Sequence, residues 1–350
     1  MANARENSFR KRWNKRNIQE LYLEGEHANI GNLKMRDDIS QEQQVQKYLS
    51  KDITDYPTPV VFHITELTHV TNKTSLQKIW KSEGFMGFGT WWSLKINEAD
   101  IRDAEERFLE SSFPDRSKEE IAAQQPFLSK FTTSPPFINE SSRYGNFRFT
   151  FPLTELMEAY KKQMCEDEEP VLRVYETKLF KQEIEYVVLV HRPQFNEKFS
   201  KYPLLTSINV PKVVSDPSSP LVSYEGNQII WKAQAICETH NCQLEIHGKT
   251  AVTQNMHSHQ YYVWDQLSLV FHINKGEVLT FPQRKLKASL SCCEADRNVN
   301  LSNGENCSSI EEAEKFLESL QDDDEKKDEK EEKKDEKEEN ALEEVKMETD

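Results

Sequence analysis

The segment Phe180-Lys-Gln-Glu-Ile-Glu-Tyr-Val-Val-Leu-Val190 constrains this chain more than any other stretch. Its Ile184, Tyr186, Val187, Val188 and Val190 are the β-branched and aromatic types that fit a pleated sheet surface. Successive side chains of a strand point to opposite faces, so Glu183 and Glu185 are expected on one side of it. Two acids on one side of a mostly apolar strand call for a reason, and a site is the first to consider.

A second pattern lies far upstream. Pro59-Val-Val-Phe-His-Ile-Thr65 reads as a buried strand ending in His-x-Thr. It leads through a short helix, Ser75-Leu-Gln-Lys-Ile-Trp-Lys-Ser82, into the turn Glu83-Gly-Phe-Met-Gly-Phe-Gly89. The order is strand, helix, glycine-rich turn.

These motifs resemble the ADP-ribosyltransferase superfamily, nearest its poly-ADP-ribose-polymerase-like branch. The matching stretches are Phe62-His63-Ile64-Thr65, Gly84-Phe85, Gly89-Thr90-Trp91-Trp92-Ser93 and Glu185-Tyr186-Val187-Val188, over roughly residues 56 to 205. His63 and Glu185 stand 122 positions apart, close to the separation familiar in that family. Within the branch the chain is similar to the virus-induced fish Gig group, which implies a place in innate antiviral defence.

Composition sets the limits around that resemblance. A chain of 350 residues is long enough for a substantial core, and six tryptophans argue against wholesale disorder. The formal charge of −15 is unevenly spread: residues 321–350 hold seven Lys against sixteen Asp and Glu. That tail has no apolar residue to bury for nearly twenty positions, so it is expected to stay solvated and disordered. At the other end Arg10-Lys-Arg-Trp-Asn-Lys-Arg16 could contact nucleic-acid phosphates or direct nuclear import, although a solvated arm is the blander reading. No window approaches the apolar length of a membrane span, and six irregularly placed cysteines fit reduced thiols. The expectation is a cytoplasmic or nuclear protein with no membrane partner.

The rest of the chain suggests an α+β fold, strands with interspersed helices rather than strict alternation. Residues 1–50 read as a polar, basic arm with weak helical stretches around Ile18–Leu23 and Gln41–Leu49. Residues 51–210 form the expected ADP-ribosyltransferase-like core, a split β-sheet with helical insertions. Asn97 is placed to cap a helix over Glu98–Glu110, and Ser117-Lys-Glu-Glu120 is a capping box for a second helix ending before Pro126. Phe147, Phe149 and Phe151 alternate with polar residues as in a half-buried strand, and Leu153–Met164 reads as an amphipathic helix. Residues 211–290 carry additional C-terminal strands, either a small second domain or an extension of the first sheet. Residues 291–320 are a linker ending in an amphipathic helix that Ser308 or Ser309 could cap.

The chemistry implied by the resemblance is transfer of ADP-ribose from NAD, bound as substrate, to a protein or nucleic-acid acceptor. Cleavage of the nicotinamide bond passes through a cationic transition state that a neighbouring carboxylate stabilises. By the resemblance Glu185 is that catalytic carboxylate, and His63 is its catalytic partner, binding a ribose hydroxyl with help from Thr65. Trp91, Trp92 and Tyr144 are the candidates to stack the nicotinamide ring. Two departures stand out: Ile64 replaces a small Gly, and the second stacking tyrosine has no clear counterpart. A catalytically inactive interaction protein on the same fold is therefore the alternative. Cys237, His240, Cys242, His247, His257 and His259 include possible metal ligands, but their spacing is no familiar zinc pattern and no metal is expected.

Overall fold

The computed structural model describes residues 9–13, 19–27, 60–124, 141–142, 144–180, 183–205, 221–233, 235–237, 243–247, 250–254, 262–264, 266–295 and 306–320. In chain order the strands begin with β1 (Arg10–Trp13), β2 (Gln19–Glu24), β3 (Val60–Ile64), β4 (Glu66–Thr71), β5 (Gly84–Met86) and β6 (Phe88–Leu94). There follow β7 (Ser141–Ser142), β8 (Phe147–Pro152), β9 (Val171–Phe180) and β10 (Glu183–His191). The later strands are β11 (Val222–Tyr224), β12 (Ile229–Ala233), β13 (Ala235–Cys237), β14 (Gln243–His247), β15 (Thr250–Gln254) and β16 (Tyr262–Trp264). The last are β17 (Gln266–His272), β18 (Val278–Thr280), β19 (Leu290–Cys292) and β20 (Glu294–Ala295). Helices are α1 (Lys73–Lys81), α2 (Glu98–Ser112), α3 (Lys118–Ala122), α4 (Leu153–Met164), α5 (Gln283–Ser289) and α6 (310–320). The fold is α+β.

Nine strands form the main sheet, in the order β1-β2-β9-β10-β17-β6-β4-β8-β19. Its pairings are antiparallel except for β10 and β17, which run parallel at its centre with Glu185 beside Gln266 and Val190 beside Phe271. A parallel pair needs a long crossover, and here residues 192–265 supply it. A second, three-stranded sheet has the order β11-β12-β3.

Strand alternation divides the main sheet into two unlike faces. On one, Ile184, Tyr186, Val188 and Val190 of β10 join Leu267, Leu269 and Phe271 of β17 in the main core. Phe85 sits among aromatic rings there, edge-on to Trp92 at 4.9 Å and to Phe149 at 5.2 Å. Helix α4 lies against the same core, its buried Tyr160 ring 5.1 Å from Phe271. On the other face Val187 and Leu189 belong to a smaller cluster with Val270, Phe199 and Tyr202.

Local signals worked as expected at several helix ends. Asn97 and Asp100 form a reciprocal capping box at α2, and Ser117 and Glu120 form another at α3. Helix α6 begins where Ser309 Oγ accepts from the Glu312 amide at 3.3 Å, and Asn72, which the sequence reading did not single out, caps α1. Helix α4 covers the residues its pattern predicted, Leu153–Met164.

Two expectations are corrected, and one open alternative is narrowed. Ile18–Leu23 was expected to be weakly helical and part of a loose arm, yet Gln19–Glu24 is a strand paired with β9. Its Leu21 and Leu23 are buried, and that burial outweighs weak local preference. The glycine-rich turn is instead mostly strand: Gly84–Met86 pairs with β18, and Gly87 is the bend that leads from β5 into β6. The sequence left residues 211–290 open between a small second domain and an extension of the first sheet: β12 pairs with β3, β18 with β5, and β17 lies between β10 and β6, while β13 pairs with β16 and β14 with β15. Strands β12, β17 and β18 thus extend the earlier sheets. The Gln41–Leu49 stretch, residues 206–220 and the acidic tail lie outside the described residues.

Candidate functional site

The smaller cluster surrounds a cleft of about 410 Å³ on the second face of the main sheet. Its floor is Trp91 of β6, Val270 of β17 and Leu189 of β10, and its wall is the segment after β10, which bears Phe199 and Tyr202. Lys198 and Lys201 stand on the same wall. The cleft thus lies toward the carboxyl ends of the central parallel pair, where open sheets with a change of strand direction place their ligands.

Two backbone features open this space. The β9–β10 ladder has a bulge at Val187/Val188, where the opposing register skips from Glu176 to Val174 and leaves Tyr175 as the extra residue. Tyr175 lines the cleft and meets the Tyr202 ring edge-on at 4.8 Å. Gly89 has φ +79°, and a Cβ there would come within 2.9 Å of Val270 Cγ2. Glycine is needed at that position for both reasons.

Next to the wall residues Phe199 and Tyr202, buried polar groups hold each other in fixed protonation states. Arg173 Nε donates to His191 Nε2 at 2.9 Å, and His191 Nδ1 lies 2.7 Å from the carbonyl of Arg192. One ring nitrogen must accept and the other donate, so His191 is a neutral Nδ1–H tautomer. Burial pushes its pKa down, and Arg173 adds to that effect. Arg173 also donates to the Tyr202 carbonyl at 2.7 Å and to Asn196 Oδ1 at 3.0 Å. Those bonds fasten the wall to the sheet.

His272, the last residue of β17, follows the same logic. Its Nε2 lies 3.1 Å from Lys198 Nζ, so a neutral imidazole accepts from an ammonium. Burial first, then the charges of Lys198, Arg192 and His191, lower its pKa to about 4. The Phe199 ring stands between the two imidazoles, 4.9 Å from His191 and 5.0 Å from His272.

The outer end of the same face carries Glu185. Ser268 Oγ donates to Glu185 Oε1 at 2.5 Å, and Lys178 Nζ lies 3.5 Å from Oε2. The same ammonium stands 3.6 Å from the centroid of the Trp91 ring. Alternating charges continue to the sheet edge. Lys178 is 3.7 Å from Glu176, which Arg12 of β1 grips with two hydrogen bonds of 2.6 Å. Arg12 Nε reaches Glu20 at 2.5 Å, and its guanidinium lies 4.4 Å above the Tyr22 ring.

Of the residues singled out in the sequence, Glu185 and Trp91 are brought together, linked through Lys178. The others are not. His63 lies on β3, opposite Ile230 in the three-stranded sheet, and its Nδ1 is 3.2 Å from Gln228 Oε1. Burial lowers its pKa, and Arg107 adds to this. The chain passes from β3 to β4 through the exposed Thr65, and β17 and β6 separate β4 from the Glu185 strand. His63 and Glu185 thus belong to different sheets, and the groups found beside His63, Gln228, Arg107 and Glu225, do not include Glu185. The cause is topological: β3 leaves the main sheet to pair with β12.

Trp92, neighbour of Trp91 in β6, points to the opposite face and is fully buried in the core. Tyr144 is 39% exposed and lies just before β8, on the far side of β4, with its amide donating to Ser142 Oγ at 3.0 Å. Neither takes part in the cleft. Residues the sequence reading missed include Lys178, Ser268, Lys198, Tyr175 and Tyr202. The run Phe195, Phe199, Tyr202 with Lys198 and Lys201 directly after the Glu185 strand was the available signal.

The Cys237–His259 ligand set falls largely outside the described residues. Among the described residues there is no group of three or more His, Cys, Asp or Glu able to hold a metal, and no helix long and apolar enough to cross a membrane. Comparison with family models, curated proteins and solved structures returns no match.

Proposed function

We propose that this protein is a catalytically silent relative of the ADP-ribosyltransferases it resembles, binding a nucleotide-type ligand, NAD among them, in the Trp91 cleft. The observation that carries this reading is the composition of the cleft. Aromatic side chains, Trp91, Tyr175, Phe199 and Tyr202, line a half-open space rimmed by the ammonium groups of Lys198 and Lys201. Aromatic faces take a base or a nicotinamide ring, and lysines take phosphates as point charges. The separation of His63 from Glu185 is the reason for calling the protein silent. Without an imidazole beside the carboxylate, the ribose hydroxyl that the family holds in place has no such partner here.

Calorimetric titration with NAD, ADP-ribose and AMP, beside incubation with NAD labelled in its adenylate half, tests this. Saturable binding, weakened in Trp91→Ala, without transfer of label to the protein or to added acceptors is the expected result. Transfer that disappears in Glu185→Gln would instead establish a transferase, a reading favoured by the way Ser268 and Lys178 hold that carboxylate, Lys178 also lying over the Trp91 ring. Absence of binding by all three compounds overturns the proposal.

A further inference from the structure

We propose that the indole N–H of Trp91, left uncovered by Gly89, reads a ring nitrogen of an adenine base, so that the cleft holds the adenylate half of a nucleotide such as NAD rather than its nicotinamide half. The inference rests on the cleft reading above and names the ring that the cleft accepts.

Gly89 and Trp91 stand two positions apart on β6, and both line the cleft. Between β6 and β17 the register runs from Thr90 opposite Phe271 to Phe88 opposite His272, so Gly89 is an extra residue. It forms a second bulge beside the cleft, in addition to the one that presents Tyr175. A Cβ on Gly89 would meet Trp91 Nε1 at 3.5 Å and Val270 Cγ2 at 2.9 Å. The indole nitrogen and Val270 thus border the space that a side chain at position 89 would fill. The Trp92 N–H is sealed in the core. Trp91 is only half-buried, and no acceptor among the described residues takes its N–H.

An indole nitrogen donates and never accepts, so it gains a bond only from a ligand atom that offers a lone pair. Adenine carries such atoms in the ring itself, at N1, N3 and N7. The nicotinamide of NAD accepts only through its carboxamide, and its ring is a cation. Trp91 already has the Lys178 ammonium 3.6 Å from its ring centroid. A pyridinium brought beside the same indole meets that charge, whereas neutral adenine does not. Size points the same way. At about 410 Å³ the cleft is near the small end of ligand sites, which span roughly 300–1,000 Å³, and so suits one mononucleotide unit.

The test is calorimetric titration into the full chain, wild type and Trp91→Phe. The ligands are AMP, nicotinamide mononucleotide, and AMP analogues in which C–H replaces N1, N3 or N7. AMP and nicotinamide mononucleotide share ribose and phosphate, so their difference reports the ring. The expected result is AMP binding about tenfold or more tighter than nicotinamide mononucleotide. One analogue, lacking the nitrogen that meets Trp91, should bind about fivefold or more weaker than AMP. Trp91→Phe keeps a ring and lacks the donor, so it should weaken AMP by a similar factor and no longer distinguish AMP from that analogue. In wild type an indole N–H proton resonance should move downfield on saturation with AMP and stay in place with that analogue. Analogues that all bind like AMP, a loss that persists in Trp91→Phe, or nicotinamide mononucleotide binding as tightly as AMP overturn the inference while the cleft reading stands. Wild type that binds neither mononucleotide removes the cleft reading itself and this inference with it. The wild-type titrations and spectrum decide the matter even if Trp91→Phe does not fold.

Discussion

Lys178 lies with its ammonium 3.6 Å from the centroid of the Trp91 ring, closing the sheet face between the cleft and Glu185. A cation so placed is attracted by the ring's quadrupole, an interaction of about 0.5–2 kcal/mol. Lys178→Met keeps the stem and removes the charge. It should lower urea stability by about 1–2 kcal/mol, since it also leaves Glu185 without its ion-pair partner. Tryptophan emission should change as well, and Trp91→Phe should abolish that change.

The two adjacent tryptophans are expected to respond in opposite ways. Trp92 is fully buried among Phe85, Phe151 and His69, so Trp92→Ala should cost about 3–5 kcal/mol. Trp91→Ala should cost far less stability and should weaken ligand binding in the cleft. Denaturant titration and calorimetry on both variants check this, and equal losses of stability would contradict the assignment of faces.

Glycines offer a similar contrast. A Cβ on Gly84 would sit 2.2 Å from the Leu279 carbonyl oxygen, a backbone atom that cannot move without breaking the β5–β18 pair. Gly84→Ala is expected to prevent stable folding, read as loss of a cooperative thermal transition. At Gly87 nothing lies within 4 Å, so Gly87→Ala pays only for its φ of +106°, about 1–2 kcal/mol.

Acid should loosen the wall of the cleft before it affects the carboxylates. His191 and His272 are buried and neutral in the fold, His272 with a pKa of about 4 against an ordinary 6.5. Below pH 6.5 the unfolded chain therefore binds more protons than the folded one, and stability falls as pH drops. The slope is at most about 1.4 kcal/mol per pH unit for each such imidazole. Glu24 and Glu277, whose pKa values are lowered in the fold, lose their contributions only at lower pH. Chemical denaturation between pH 6.5 and 5 should thus show a decline that is shallower in His272→Asn. A flat profile in wild type would refute the neutral-imidazole arrangement.

How much of this was legible in the sequence depended on the range of the interactions involved. The capping boxes at Asn97 and Ser117, the apolar stripe of α4 and the alternation of Phe147, Phe149 and Phe151 are local patterns, and each led to the right element. The Glu185 strand was likewise plain from its β-branched and aromatic run. The Gln19–Glu24 strand was not, because its stability comes from burying Leu21 and Leu23 against β9, about 150 residues later in the chain. Trp91 and Trp92 illustrate an intermediate case: alternation says that they face opposite ways, but only packing says which one meets the cleft.

The amino-acid order alone determined that this chain forms an α+β fold, where most helices start, and that one central strand carries an acid beside strand-forming residues. Tertiary structure alone decided which strands became neighbours. It set β17 between β10 and β6, and it sent β3 with His63 to a separate sheet away from Glu185. Local propensity acts over a few residues, whereas strand pairing is chosen by burial and hydrogen bonding between segments a hundred or more residues apart. Hence a motif could name its residues without saying whether they would meet.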